Sequence, residues 1–218
     1  FFRGKPESRL LPAGVLVFSL ALLTYFRNLT WIDPLNLWKN TLLRSPSSSV
    51  SHNNLGREFQ RRGRLGEAVQ RYREAIRLEP SNARAYNNLG SALTALNQLS
   101  GAERALHRAV QIRPDYYEAH YNLGNLKARI GELSRSAEYY RRALKFNPDY
   151  LPALINLGGV LFRAGNMEES LRVYRKALQL DPDSIGLHRN MGIVLKEMGR
   201  EDEAEQYFQE AEKIEEHR

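Results

Sequence analysis

Along most of this chain the apolar residues fall into two short stripes, a polar break, and the same two stripes again. In residues 83–114, Tyr86, Leu89, Leu93 and Leu96 recur at helical spacing, Asn97 and Gln98 interrupt, and Ala102, Leu106, Ala109 and Val110 form the second stripe. The pattern predicts two helices joined by a short turn. It returns with a landmark: "NNLG" ending at Gly56 and at Gly90, "YNLG" at Gly124, "INLG" at Gly158 and "RNMG" at Gly192, 34 residues apart each time. A fixed period of this length marks supersecondary units stacked on one another, not a single globular core. The expected units are 49–82, 83–116, 117–150, 151–184 and 185–218, the last including a terminal cap.

Punctuation agrees with the period. Pro80, Pro114, Pro148 and Pro182 stand where each pair should end, because proline pushes the residue before it out of helical geometry. Gly63, Gly131, Gly165 and Gly199 stand between the helices, where a left-handed turn costs glycine little. Gly90 is expected to face Ala102 or Ala109 and let two helix backbones approach. Residues 28–48 read as a junction with a capping half-repeat, in which Asp33 caps and Pro34 opens a helix. The acidic stretch after Glu201 keeps Ala204, Phe208 and Ala211 for the inside, as a terminal cap should.

The first residues break the pattern. From Leu10 to Phe26 no side chain is charged, and the expectation is a transmembrane helix over 10–27. No A-x-A cleavage site follows, which disfavours a signal peptide, and Tyr25, Phe26, Trp31 and Trp38 suit an interfacial aromatic belt. Arg3, Lys5 and Arg9 outnumber the basic residues after the span, so 1–9 reads as a cytoplasmic-side flank and the repeats as periplasmic or lumenal. The chain starts with "FFRG" rather than Met, and further sequence is expected upstream.

Composition mainly removes options. The 218 residues contain no Cys, which excludes disulfide staples and thiolate metal sites. His52, His120 and His188 occupy one repeat position, shared with Tyr86 and Leu154, and read as packing residues. No Gly-rich phosphate loop or nucleophile elbow is present, and the carboxylates fall as helix-surface partners of Arg. The chain as given is expected to be no enzyme, with no catalytic residue, cofactor or metal. A net charge of +7 points weakly to an acidic partner.

The order of an aromatic, Leu-Gly, an aromatic, Ala and Pro over 34 residues resembles the tetratricopeptide repeat. The third unit shows it best, with His120, Leu123, Gly124, Tyr140, Ala143 and Pro148. Departures are Ser136 and Ser170 for Ala, Lys127 at an aromatic site, and Glu216 for the last Pro. The resemblance implies an all-α, right-handed superhelical solenoid, here with one N-terminal transmembrane helix, whose first helices line a groove. Asn54, Asn88, Asn122, Asn156 and Asn190 would then form a ladder of amides in that groove, able to pair with a peptide backbone. Packed helices about 8–10 Å apart against a strand rise of about 3.3 Å put one rung at every third ligand residue or so. The alternative is that these amides bond neighbouring helices. Arg57, Arg61, Arg84, Arg129, Arg163 and Arg189 are expected on or near the same surface, which suits an acidic protein or peptide partner. Nucleic acid is not expected, because the groove face lacks regular base-stacking aromatics.

A second resemblance lies in the junction "RNLTWIDPLNLWKNTLLRSPSSSVSHNNLG", which is similar to that of transmembrane and tetratricopeptide-repeat-containing membrane glycosyltransferases, protein O-mannosyltransferases among them. Two functions follow. One is a membrane-anchored scaffold that binds a protein or an extended peptide in its groove for complex assembly. The other is the substrate-recruiting arm of a polytopic glycosyltransferase. A purely structural subunit packed against a larger membrane complex, its groove empty, is a further option.

Overall fold

Asp33 opens the first complete helix of the computed structural model, which describes residues 15–16, 18–22, 24–25 and 33–217. Its carboxylate accepts from the Leu35 amide at 3.0 Å, and Pro34 takes the first helical position, where no N–H is required. This helix, α1 (Pro34–Arg44), packs on α2 (Ser49–Arg61), which pairs with α3 (Leu65–Leu78). Ser48 caps α2 by accepting from the Ser51 amide at 3.2 Å, and Ser49 Oγ ties α2 to α3 by donating to the Ala75 carbonyl at 3.0 Å. These elements belong to a first unit, residues 1–78.

The second unit, 79–218, holds four helix pairs: α4 (Ala83–Ala95) with α5 (Leu99–Ile112), α6 (Tyr117–Arg129) with α7 (Leu133–Phe146), α8 (Leu151–Arg163) with α9 (Met167–Leu180), and α10 (Ile185–Glu197) with α11 (Glu201–Glu216). Within this unit every helix packs on the next, from α4 on α5 through α10 on α11, and the first helices of successive pairs, α4, α6, α8 and α10, also touch each other in order. They therefore share one face. The described residues are helix, turn or irregular, with no strand.

The landmark glycines work by proximity. A Cβ at Gly124 would sit 2.5 Å from the Tyr140 ring, one at Gly158 2.5 Å from Tyr174, and one at Gly192 2.5 Å from Phe208. In each case the partner lies 16 residues on. Gly90 corrects the sequence expectation, because its nearest neighbour is the Leu106 side chain at 2.5 Å, with the Ala102 carbonyl next at 3.2 Å. The side chain at this second-helix position, not the alanines, fills the space that glycine leaves. Between the helices Gly63, Gly131, Gly165 and Gly199 have φ of 74° to 82°, and Asn97 takes the equivalent place in the α4–α5 pair at φ 61°. Asn is the side chain that tolerates this region best.

Two departures from the repeat pattern are fully integrated. Ser136 and Ser170 are buried and donate at 2.8 Å to the carbonyls of Gly124 and Gly158, linking the helices of their pairs. Lys127 is 3 % exposed, and its ammonium lies 2.7 Å from Glu103 of α5 and 3.5 Å from Glu132. Burial pulls its pKa down, but the two carboxylates outweigh that and the net shift is upward.

Half of the transmembrane helix expected over 10–27 falls outside the described residues. Those of its residues that are described, 15–16, 18–22 and 24–25, are helical, with Ser19 and Thr24 donating to the carbonyls of Val15 and Leu20. Among the described residues no helix is long and apolar enough to cross a membrane.

Candidate functional site

The shared face of α4, α6, α8 and α10 forms an open cavity of about 690 Å³ in the second unit. Arg129 and Arg163 come to it from the last turns of α6 and α8, and Asn125, Asn156 and Asn190 from mid-helix positions on α6, α8 and α10. Ile155, Phe162 and Ile193 supply apolar wall, and Tyr140 and Tyr174 reach through from α7 and α9. No Asp or Glu lines it.

That absence matters because it leaves the positive charge on this wall uncompensated, whereas several arginines elsewhere in the chain are paired. Arg61, Arg64, Arg77, Arg135, Arg141, Arg142, Arg189 and Arg200 each lie within 3.0 Å of a carboxylate oxygen. Among the described residues neither Arg129 nor Arg163 has such a partner. The cavity therefore presents two guanidinium groups, several amides and an apolar wall, a combination suited to a carboxylate-bearing segment.

The amides form a network of their own. Tyr140 donates to Asn125 Oδ1 at 2.7 Å, and Asn156 Nδ2 donates to the same oxygen at 2.9 Å and approaches the Tyr121 hydroxyl at 3.2 Å. Asn122 Nδ2 donates to Asn87 Oδ1 of the preceding pair at 2.8 Å. Burial pushes the Tyr140 and Tyr174 phenols up to about 12, so both are neutral donors at ordinary pH.

The five asparagines of the expected ladder are all half-buried, but they are not equivalent. Asn156 and Asn190 line the cavity. Asn122 uses its amide between pairs, and Asn88 accepts from its neighbour Asn87 at 3.5 Å. Asn54 lies in the first unit. Of the arginines, Arg129 and Arg163 reach the cavity, whereas Arg61 is held bidentately by Glu58 at 3.0 and 2.8 Å and Arg189 by Glu215 at 2.7 Å. Arg84 lies by the Tyr116 phenol and Arg57 by that of Tyr72. The sequence did not mark Asn125, Tyr140, Tyr174 or Phe162 as site residues, and Tyr140 stood out there only as a repeat-motif aromatic. Asn125 sits three residues from Asn122 on the same helix face, a signal that was there to use, but Phe162 lies six residues from Asn156, off that face, and the tyrosines come from the second helices, so packing alone brings them to the cavity.

Comparison with known proteins is decisive at the level of family. Family models described as TPR repeat match residues 56–97 and 90–131, and models described as tetratricopeptide repeat match 117–150 and 149–216. The matches run without a gap from 56 to 216. The chain belongs to the tetratricopeptide-repeat family.

Solved tetratricopeptide-repeat structures share its fold. The crystal structure of MamA is 25% identical with a TM-score of 0.69, covering 74% of this chain and 95% of that one. MamA 41-end from Desulfovibrio magneticus RS-1 is 21% identical with a TM-score of 0.71, over 78% of this chain and 96% of that one. YrrB, described as a TPR protein with an unusual peptide-binding site, is 19% identical with a TM-score of 0.65, over 81% and 91%. At these identities the last two show the fold alone. No curated protein matches the chain in sequence. None of the similar proteins named here is a membrane glycosyltransferase.

In this all-helical tetratricopeptide-repeat chain the three repeat-position histidines are buried. Nε2 of His52 and of His120 donates to the carbonyls of Pro46 and Pro114 at 3.0 and 2.9 Å, since a carbonyl can only accept, and His188 Nδ1 donates to the Ser184 carbonyl at 3.0 Å. Among the described residues no group of three His, Asp or Glu is placed to hold a metal ion.

Proposed function

We propose that the chain is an interaction scaffold that holds an extended, carboxylate-bearing protein segment in the cavity of α4, α6, α8 and α10. The observation that carries this reading is the pair Arg129 and Arg163, without carboxylate partners, on a wall that contains no acidic residue. Asn156 and Asn190 are the ladder asparagines given a ligand role. Asn122 serves the stacking of pairs, and Asn88 and Arg84, in the same unit, would extend the surface toward longer partners. The test is selection of random dodecapeptides on the full chain, followed by affinity measurement on an Arg129→Ala, Arg163→Ala variant. Enriched peptides should carry Asp or Glu, lose at least tenfold in affinity on the variant, and weaken steeply with salt. Enrichment that ignores the two arginines would overturn the reading.

Anchoring to a membrane, with the repeats outside the cytoplasm, is part of the proposal. It is supported by Val15, Leu16 and Phe18, which are 64%, 61% and 66% exposed on a helical segment, and by the basic residues before that segment. The chain should stay in the membrane pellet through alkaline carbonate extraction, and release into the supernatant would count against it.

The glycosyltransferase-arm reading is favoured by the junction resemblance before Gly56. Several apolar spans and an acidic loop encoded upstream of Phe1 would support it, and a start codon just before Phe1 would rule it out.

A further inference from the structure

The third and fourth repeats differ at one position on the cavity wall. In the third, the hydroxyl of Tyr140 and the amide of Asn156 both donate to Asn125 Oδ1. Thirty-four residues on, the counterparts are Tyr174, Asn190 and Gly159. Both donors are kept, and the acceptor between them is replaced by a hydrogen atom. All three residues line the cavity.

Packing does not require this glycine. Gly159 is helical with negative φ, and the nearest atom a Cβ there would meet is the Tyr174 hydroxyl oxygen, 3.5 Å away, an ordinary contact. Alanine would fit and would strengthen the helix. What glycine does is uncover the phenol. Among the described residues neither Tyr174 nor Asn190 has a hydrogen bond from its side chain. Burial keeps the Tyr174 phenol protonated and able to donate. Arg163 follows Gly159 by four residues, so its guanidinium stands on the same helix face one turn along.

We infer that the fourth repeat carries a subsite for an acidic side chain, in which a ligand carboxylate takes the place that Asn125 Oδ1 fills one repeat earlier. One carboxylate oxygen accepts from Tyr174 and Asn190, and the other faces Arg163. A neutral amide in the same place would present a donor to the guanidinium and lose the charge, so the subsite selects Asp or Glu over Asn or Gln. This rests on the scaffold reading above and narrows it to a residue.

The probe is the tightest dodecapeptide enriched on the full chain, with each of its acidic residues changed in turn to the amide. On the wild-type chain one such change should cost at least tenfold in affinity. On Tyr174→Phe and on Gly159→Asn, which restores the acceptor of the third repeat, the same change should cost less than threefold, while Tyr207→Phe, on α11 and outside the cavity lining, keeps the full penalty. Circular dichroism spectra and unfolding midpoints of the variants separate misfolding from loss of the subsite. If the peptide depends on Arg129 and Arg163 but its acid-to-amide penalty survives Tyr174→Phe and Gly159→Asn, the subsite is wrong and the scaffold reading stands. If no peptide is enriched, or binding ignores both arginines, both fall.

Discussion

Asn156 donates from its side-chain amide to Asn125 Oδ1 at 2.9 Å and so joins the first helices of two successive repeats. The same oxygen accepts from Tyr140 at 2.7 Å. Asn125→Ala removes an acceptor from two donors at once, one of them on a phenol that is only 1 % exposed as a residue. An orphaned buried donor costs about 1–3 kcal/mol. Adding Tyr140→Phe should recover part of that loss, so urea unfolding of the two single variants and the double should show a coupling of about 0.5 kcal/mol or more. Strictly additive effects would mean that the network is not cooperative.

Gly124 and Gly186 should respond oppositely to alanine. A methyl at Gly124 would enter the Tyr140 ring at 2.5 Å, whereas one at Gly186 meets nothing within 4 Å. Overpacking costs about 1–3 kcal/mol, and relief of a helical glycine returns about 0.5–1 kcal/mol. Thermal unfolding should therefore lower the midpoint for Gly124→Ala and hold or raise it for Gly186→Ala. Equal midpoints would refute the close approach.

Lys127 stands where three other repeats have Leu93, Leu161 and Leu195. Its ammonium depends on Glu103 at 2.7 Å and more weakly on Glu132 at 3.5 Å. Glu103→Gln should destabilise, because it leaves a buried charge poorly compensated, while Lys127→Leu should be neutral or stabilising by about 1–4 kcal/mol. In the Lys127→Leu background, Glu103→Gln should have little further effect. Urea midpoints for the three variants check the order.

His120 makes stability fall in acid. Burial lowers its pKa below the usual histidine value, the bond to the Pro114 carbonyl opposes that, and Arg142 adds to the lowering. The unfolded chain, with histidine near 6.5, then binds the proton more readily than the folded one. This contribution is complete above about pH 6.5 and is lost as pH drops through 6.5 toward the lower folded value. His120→Leu, which copies Leu154, should flatten the dependence of urea midpoint on pH between 7.5 and 5. An unchanged slope would show that another group is responsible.

The helix pairs were legible because each depends on residues close in sequence. Stripes at helical spacing, Pro after each pair, and Gly or Asn at the turn act within a few residues, and repetition multiplies the signal. The partner of each landmark glycine was harder to read. Gly90 was expected against alanines and meets Leu106, since the helices' crossing, which the stripe pattern leaves open, sets which side chain sits opposite. The ladder was half-read for the same reason. Period alone put five asparagines at one repeat position, but whether an amide bonds a neighbour, as in Asn122, or lines a cavity, as in Asn190, depends on what the adjacent repeat places beside it.

By itself, then, the sequence determined the period, the helical pairs, the family and the positions that could face a common groove. Those follow from local propensity and from a pattern repeated five times. The tertiary structure decided which of those positions matter. It paired Arg61 with Glu58 and Arg189 with Glu215, left Arg129 and Arg163 facing an acid-free cavity, and set Tyr174 beneath Gly159. Hydrogen bonds and ion pairs form over about 3 Å, and at that range the neighbour is chosen by how whole helices stack.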